Sequence, residues 1–228
     1  MELLHLEDDP FEMDKNGFIS ENDKKKIVHE SFFAFNKNIC RNAYLNWNID
    51  STRNLSKQLY ELSFSFFDTA ANILLLCLNS NEDSGADNLI FSILFNFTHG
   101  MELGLKAIEI ASRSSTSSTS IPIKPFGGHD MESTLKRCKQ NLVGEINNNA
   151  KCKQAFDVLT NILPTLKKYY KFPCECFRYP IDKNGQQFSY TSPLNNETVD
   201  MEKFFLNILD VSYATNYIFG LIDPEYNL

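Results

Sequence analysis

Apolar residues recur every three or four positions along most of this chain, and that spacing constrains the fold more than any other feature. Val28, Phe32, Phe35 and Ile39 step by four, three and four, which lines one face of a helix reaching to about Trp47. Leu55, Leu59, Leu62 and Phe66 repeat the step, and the apolar run to Leu78 prolongs it. A third helix carries Ile90, Leu94, Phe97, Met101, Leu105 and Ile108. A shorter fourth holds Met131, Leu135, Cys138 and Leu142, with Asp130 placed to cap its start. Phe156, Leu159, Leu163, Leu166 and Tyr170 mark a fifth, with a kink expected at Pro164. The sixth holds Phe204 or Phe205, Ile208, Val211, Thr215 and Phe219. Thr198 and the acids Glu197, Asp200 and Glu202 open it, and Gly220 and Pro224 stop it. Such faces are buried only against one another, so the expected class is all-α, a bundle of about six helices.

Two segments break the pattern. Ser112 to Ser120 is a Ser/Thr tract, read as a mobile loop too polar to pack. Residues 178–190 place Asn184-Gly185 between short alternating runs, the pattern of one small β-hairpin. Residues 1–50 are expected to form an N-terminal turn or hairpin and a first helix packed on the bundle. Residues 51–228 are expected to form the bundle itself.

Composition narrows the function classes. The 228 residues carry 22 Lys and Arg against 29 Asp and Glu, a net charge of -7, so no global basic surface draws in DNA or RNA. The N-terminus has no basic and apolar leader, and the most hydrophobic stretch, Ile73 to Leu78, falls short of the ~20 residues that span a bilayer. A cytoplasmic location without membrane attachment is expected, with the six cysteines reduced. Cys174 and Cys176 have no partner pair with metal-ligand spacing, so neither metal nor cofactor is expected.

Two constellations have chemical potential. Residues 12–23 approach a calcium loop, with Glu12, Asp14, Asn16 and Asp23 at the oxygen-ligand positions and Gly17 at the sharp turn. Glu12 is long for the first position and Asp23 short for the last, and an Asn-Gly turn explains the same residues. The second constellation spans three segments. His99, Glu102 and Lys106 share one helix face, His129 and Asp130 open the next helix, and Arg178 begins the hairpin. Together they supply an acid, a base and a phosphate-binding cation, provided that folding brings them together. The structural alternative is a helix-supporting ion pair, a helix cap and a pinned hairpin.

The segments ELGLKAIEI and GGHDMESTL resemble the paired helices of the HEPN-like superfamily, the helical proteins of bacterial toxin–antitoxin and phage-defence systems, over residues of about 88 to 145. FRYP and the last helix agree less specifically. The resemblance implies a helical bundle, often homodimeric, whose active members are metal-independent endoribonucleases with an Arg-x4–6-His motif. No arginine here has a histidine at that spacing. The expected function is therefore a non-catalytic module that binds a partner protein, a nucleotide or RNA. A divergent endoribonuclease using His99, Glu102, Lys106, His129, Asp130 and Arg178 is the first alternative. A calcium-responsive protein is the second.

Overall fold

The computed structural model describes residues 54–80, 85–114, 130–169, 184–185 and 198–226. All belong to one compact unit, Asn46–Leu228. The described residues form the helices α1 (Leu55–Asn79), α2 (Gly85–Ser114), α3 (Met131–Asn141), α4 (Val143–Asn148), α5 (Ala150–Tyr169) and α6 (Met201–Ile222), closed by a 3-10 turn at Pro224–Tyr226. No strand occurs among them, and the class is all-α. The helix expected around Val28, the calcium-like loop at 12–23 and the arms of the hairpin at 178–190 lie outside the described residues. The small β-hairpin is not seen among the described residues; at its expected tip Asn184 and Gly185 form a turn, with Gly185 at φ 77°, a conformation that suits glycine.

Side-chain caps set several of the helix starts. Asn54 accepts from the Ser56 N–H at 3.0 Å to open α1. Asp130 takes the Ser133 N–H at 3.1 Å and the Ser133 hydroxyl at 2.5 Å to open α3. Asn149 accepts from the N–H groups of Lys151 and Cys152 at the head of α5. Asp200, rather than Thr198, caps α6, accepting from the Lys203 N–H at 3.1 Å. Each such cap satisfies N–H groups that the helix itself leaves unpaired. At its other end α6 runs through the buried Gly220 to Ile222, so Pro224 marks the boundary and Gly220 does not. Helix α5 continues through Pro164.

Helix α2 is the centre of the bundle, packing on α1, α3 and α6, while α5 closes against α6. From Phe97 onward it buries Phe97, Met101, Leu105, Ala107 and Ile108, with residues around most of its circumference enclosed. The α1–α2 seam differs from the periodicity expectation by one residue. Leu55, Leu59, Leu62 and Phe66 lie on the flank, half-exposed, and the buried line is Ser56, Tyr60, Ser63, Phe67, Ala70, Leu74 and Cys77. The reason is close approach. A methyl group on Gly100 would meet the Phe67 ring at 3.0 Å, and one on Gly104 would meet Thr215 Cγ2 at 2.6 Å and Ser63 Oγ at 2.9 Å. The two glycines leave room for the Phe67 ring at Gly100 and for Ser63 and Thr215 at Gly104, so the chain turns this line of α1, and not the Leu55 line, onto α2.

Aromatic rings fill the wider spaces. Tyr60 stacks on Phe219 with centroids 4.2 Å apart, joining α1 to α6. Phe97 meets Phe67 at 6.1 Å and the edge of Phe204 at 5.3 Å, joining three helices. The Tyr217 hydroxyl donates to Asn149 Oδ1 at 3.2 Å, tying α6 to the head of α5. At the chain's C-terminal end Lys57 bridges Asp223 at 3.2 Å and Glu225 at 2.5 Å, fastening the closing turn to α1. By length and composition alone α1 is long and apolar enough to cross a membrane, a property that core helices share. In this fold its seam residues pack in the bundle core.

Candidate functional site

Five charged or titratable residues lie along one face of α2. His99, Glu102, Lys106, Glu109 and Arg113 follow steps of three, four, three and four, the spacing that keeps side chains on a single helix face. The upper half is the segment picked out by sequence. Lys106 Nζ donates to Glu102 Oε1 at 2.5 Å, and the Glu102 side chain is only 4% exposed. His99 Nδ1 lies 4.0 Å from Glu102 Oε2, too far for a direct hydrogen bond. The His99 ring is held instead by two aromatics. Phe66 meets it edge-on at 4.6 Å, and Phe95 stacks on it at 5.6 Å. Its side chain stays 30% exposed.

The lower half is the stronger polar network, and sequence reasoning missed it. Arg137 of α3 donates from Nε to Glu109 Oε1 at 2.7 Å and from Nη2 to Glu109 Oε2 at 3.1 Å. That is a two-pronged guanidinium–carboxylate pair. Arg113 donates to the same Glu109 Oε1 from one turn along α2. Arg137 Nη2 also reaches Thr134 Oγ1 at 3.0 Å. The hydrogen bond to Glu109 is the main reason the Arg137 guanidinium binds its proton even more tightly than usual. Beside the network, burial pushes the Cys138 thiol up to about 12, with the Glu109 charge adding to the effect. A buried neutral thiol is a small hydrophobe rather than a nucleophile.

The Ser/Thr tract begins later than expected. Ser112, Arg113 and Ser114 are the last turn of α2. Ser112 is fully buried, donating to the Glu109 carbonyl at 3.0 Å and accepting from Asn141 Nδ2 at 3.0 Å. A buried serine with both partners is not excluded from a core.

Of the expected site residues, the structure brings together His99, Glu102 and Lys106. Asp130 is the α3 cap, its carboxylate engaged by Ser133. His129, Arg178 and the calcium-loop residues Glu12, Asp14, Asn16 and Asp23 lie outside the described residues. Among the described residues no group of three His, Cys, Asp or Glu side chains is placed to hold a metal ion. A signal for Glu109 was present, since the spacing from His99 to Lys106 continues to Glu109 and Arg113. Its partner Arg137 sits on another helix, which periodicity does not reach.

Comparison with protein-family models, with curated proteins and with solved structures finds no match for this chain.

Proposed function

We propose that this chain is a HEPN-like helical module of a bacterial defence or toxin–antitoxin type system. In this reading it pairs with a second copy and acts by binding a partner protein, a nucleotide or RNA rather than by catalysis. The observation that carries the non-catalytic part is the state of the two buried acids on α2. Glu102 is engaged by Lys106, and Glu109 by Arg113 and Arg137, all from the same chain. A carboxylate already holding a cation at hydrogen-bond distance is poorly placed to accept a proton from substrate or to hold a metal. The ELGLK and GHD segments then serve the bundle: the first places Glu102, Leu105 and Lys106 on the central helix, and the second places the Asp130 cap.

The test is incubation of the purified full chain with labelled single-stranded RNA in a chelator, read for products, beside binding of the same RNA and of nucleotides by anisotropy. The proposal expects no cleavage and saturable binding of one ligand class. Metal-free cleavage would replace it with the endoribonuclease reading. One observation favours that second reading: the His99 imidazole is 30% exposed on the stripe, its ring fixed by Phe66 and Phe95.

A further inference from the structure

The outward face of α6 is built like an interface. Leu206 is 60% exposed, Leu209 45% and Tyr213 66%. With the exposed Glu202 they stand at i, i+4, i+7 and i+11, one continuous face three turns long. The opposite face of the same helix, through Ile208, Val211, Thr215 and Phe219, is already in the core. Single exposed apolar residues elsewhere, such as Leu76 and Val143, are ordinary, but three large side chains on one helical stripe are not.

We propose that this face pairs α6 with α6 of a second copy, the two helices running antiparallel about a two-fold axis near Leu206 and Leu209. The occupant follows from self-complementarity. An antiparallel register that sets Leu206 on the partner's Leu209 also sets Leu209 on the partner's Leu206, as two-fold symmetry requires. The same register brings Tyr213 beside the partner's Glu202, giving the phenolic hydroxyl a carboxylate acceptor. It also lays Lys203 beside the partner's Asp210, and Asp210 beside the partner's Lys203, flanking the apolar centre with opposite charges. Lys203 holds Asp200 at 3.0 Å in the single chain, but both side chains are exposed, so that pair yields readily. A parallel two-fold pairing would carry the two copies' Lys203 and Asp210 to opposite sides of the seam, where neither ion pair forms. This inference deepens the homodimer part of the proposed function by naming its surface, and it rests on the α6 face rather than on the resemblance.

The experiment is light scattering of the full chain across a roughly hundredfold concentration series. The expected mass rises from 26.2 kDa toward twice that value. Leu209→Asp, at an exposed position, should remain monomeric throughout and match the parent melting temperature at the dilute end of the series, where the parent is also monomeric. Lys203→Asp alone should weaken pairing, and adding Asp210→Lys should restore it, because the swap recreates both ion pairs in reverse. A parent that stays monomeric overturns the inference. A dimer untouched by Leu209→Asp overturns it too, while leaving a homodimer through another surface. A double charge swap no better than Lys203→Asp removes the antiparallel register.

Discussion

Ser63 Oγ donates to the carbonyl oxygen of Gly100 across 2.7 Å, a side-chain bond between α1 and the backbone of the central helix. It forms because glycines at 100 and 104 let the two helices approach, and Gly104 also makes room for Thr215 of α6. Three helices therefore meet at one stripe of small residues.

Gly104→Ala should destabilise the protein despite alanine's better helix propensity. The added methyl meets Thr215 Cγ2 and Ser63 Oγ, and neither side chain is free to swing. Thr215 is β-branched and donates to the Val211 carbonyl at 2.8 Å, and Ser63 is held by Gly100. Overpacking of about 1–3 kcal/mol exceeds the propensity gain of about 1 kcal/mol. Gly100→Ala, whose tightest neighbour is the Phe67 ring at 3.0 Å, should cost less. Urea unfolding of the two variants gives the order.

Arg137→Gln should lower stability by about 1–3 kcal/mol, because the buried Glu109 loses its two-pronged partner and keeps Arg113 alone. Arg137→Lys should recover only part of the loss, since an ammonium does not reproduce the planar fork. Thermal melts of the three proteins check both statements.

Asp130→Ala separates a cap from a catalytic group. Loss of the Ser133 contacts should cost about 0.5–2 kcal/mol. Asp130→Asn, which still accepts the Ser133 N–H, should restore most of it. An Asn variant that melts like the parent but loses a binding or cleavage activity would give Asp130 a role beyond the cap.

Cys138 should resist alkylation in the folded protein while the unfolded chain reacts, as peptide mapping after brief iodoacetamide treatment will show. Its folded value of about 12 stands above the ordinary thiol value of 9.0. A group raised on folding contributes stability that is whole below its unfolded value and is lost as pH rises toward the folded one. The Cys138 contribution is therefore complete below about pH 9 and declines above it, with a slope of up to roughly 1.4 kcal/mol per pH unit. Cys138→Ala should flatten that part of the alkaline limb.

The helices were legible in the sequence where one face alone is buried. Met131, Leu135, Cys138 and Leu142, and likewise Phe156, Leu159, Leu163 and Leu166, are buried as their spacing predicts. In α1 apolar residues line more than one face, so spacing alone pointed to Leu55, Leu59, Leu62 and Phe66, whereas the buried line through Tyr60, Phe67 and Leu74 is the one whose Ser63 and Phe67 fit against Gly100 and Gly104. The Gly100-x3-Gly104 spacing was the available signal. The polar stripe was half legible for a similar reason. Glu102 and Lys106 pair within one helix, where the i,i+4 rule applies, but Glu109 owes its main partner to the packing of α3 on α2.

Both buried acids on α2 are structural groups in this proposal, Glu109 tying α2 to α3 and Glu102 neutralising Lys106 within α2, and neither cuts RNA. The most direct measurement is metal-free cleavage of single-stranded RNA by the parent, His99→Ala and Glu102→Gln, each read beside its melting curve. No cleavage by any of the three is expected. An early melt is expected for Glu102→Gln alone, on the order of 3 kcal/mol, because the largely buried Lys106 loses its counter-charge. Cleavage by the parent that disappears in His99→Ala, with the melt unchanged, would contradict the proposal.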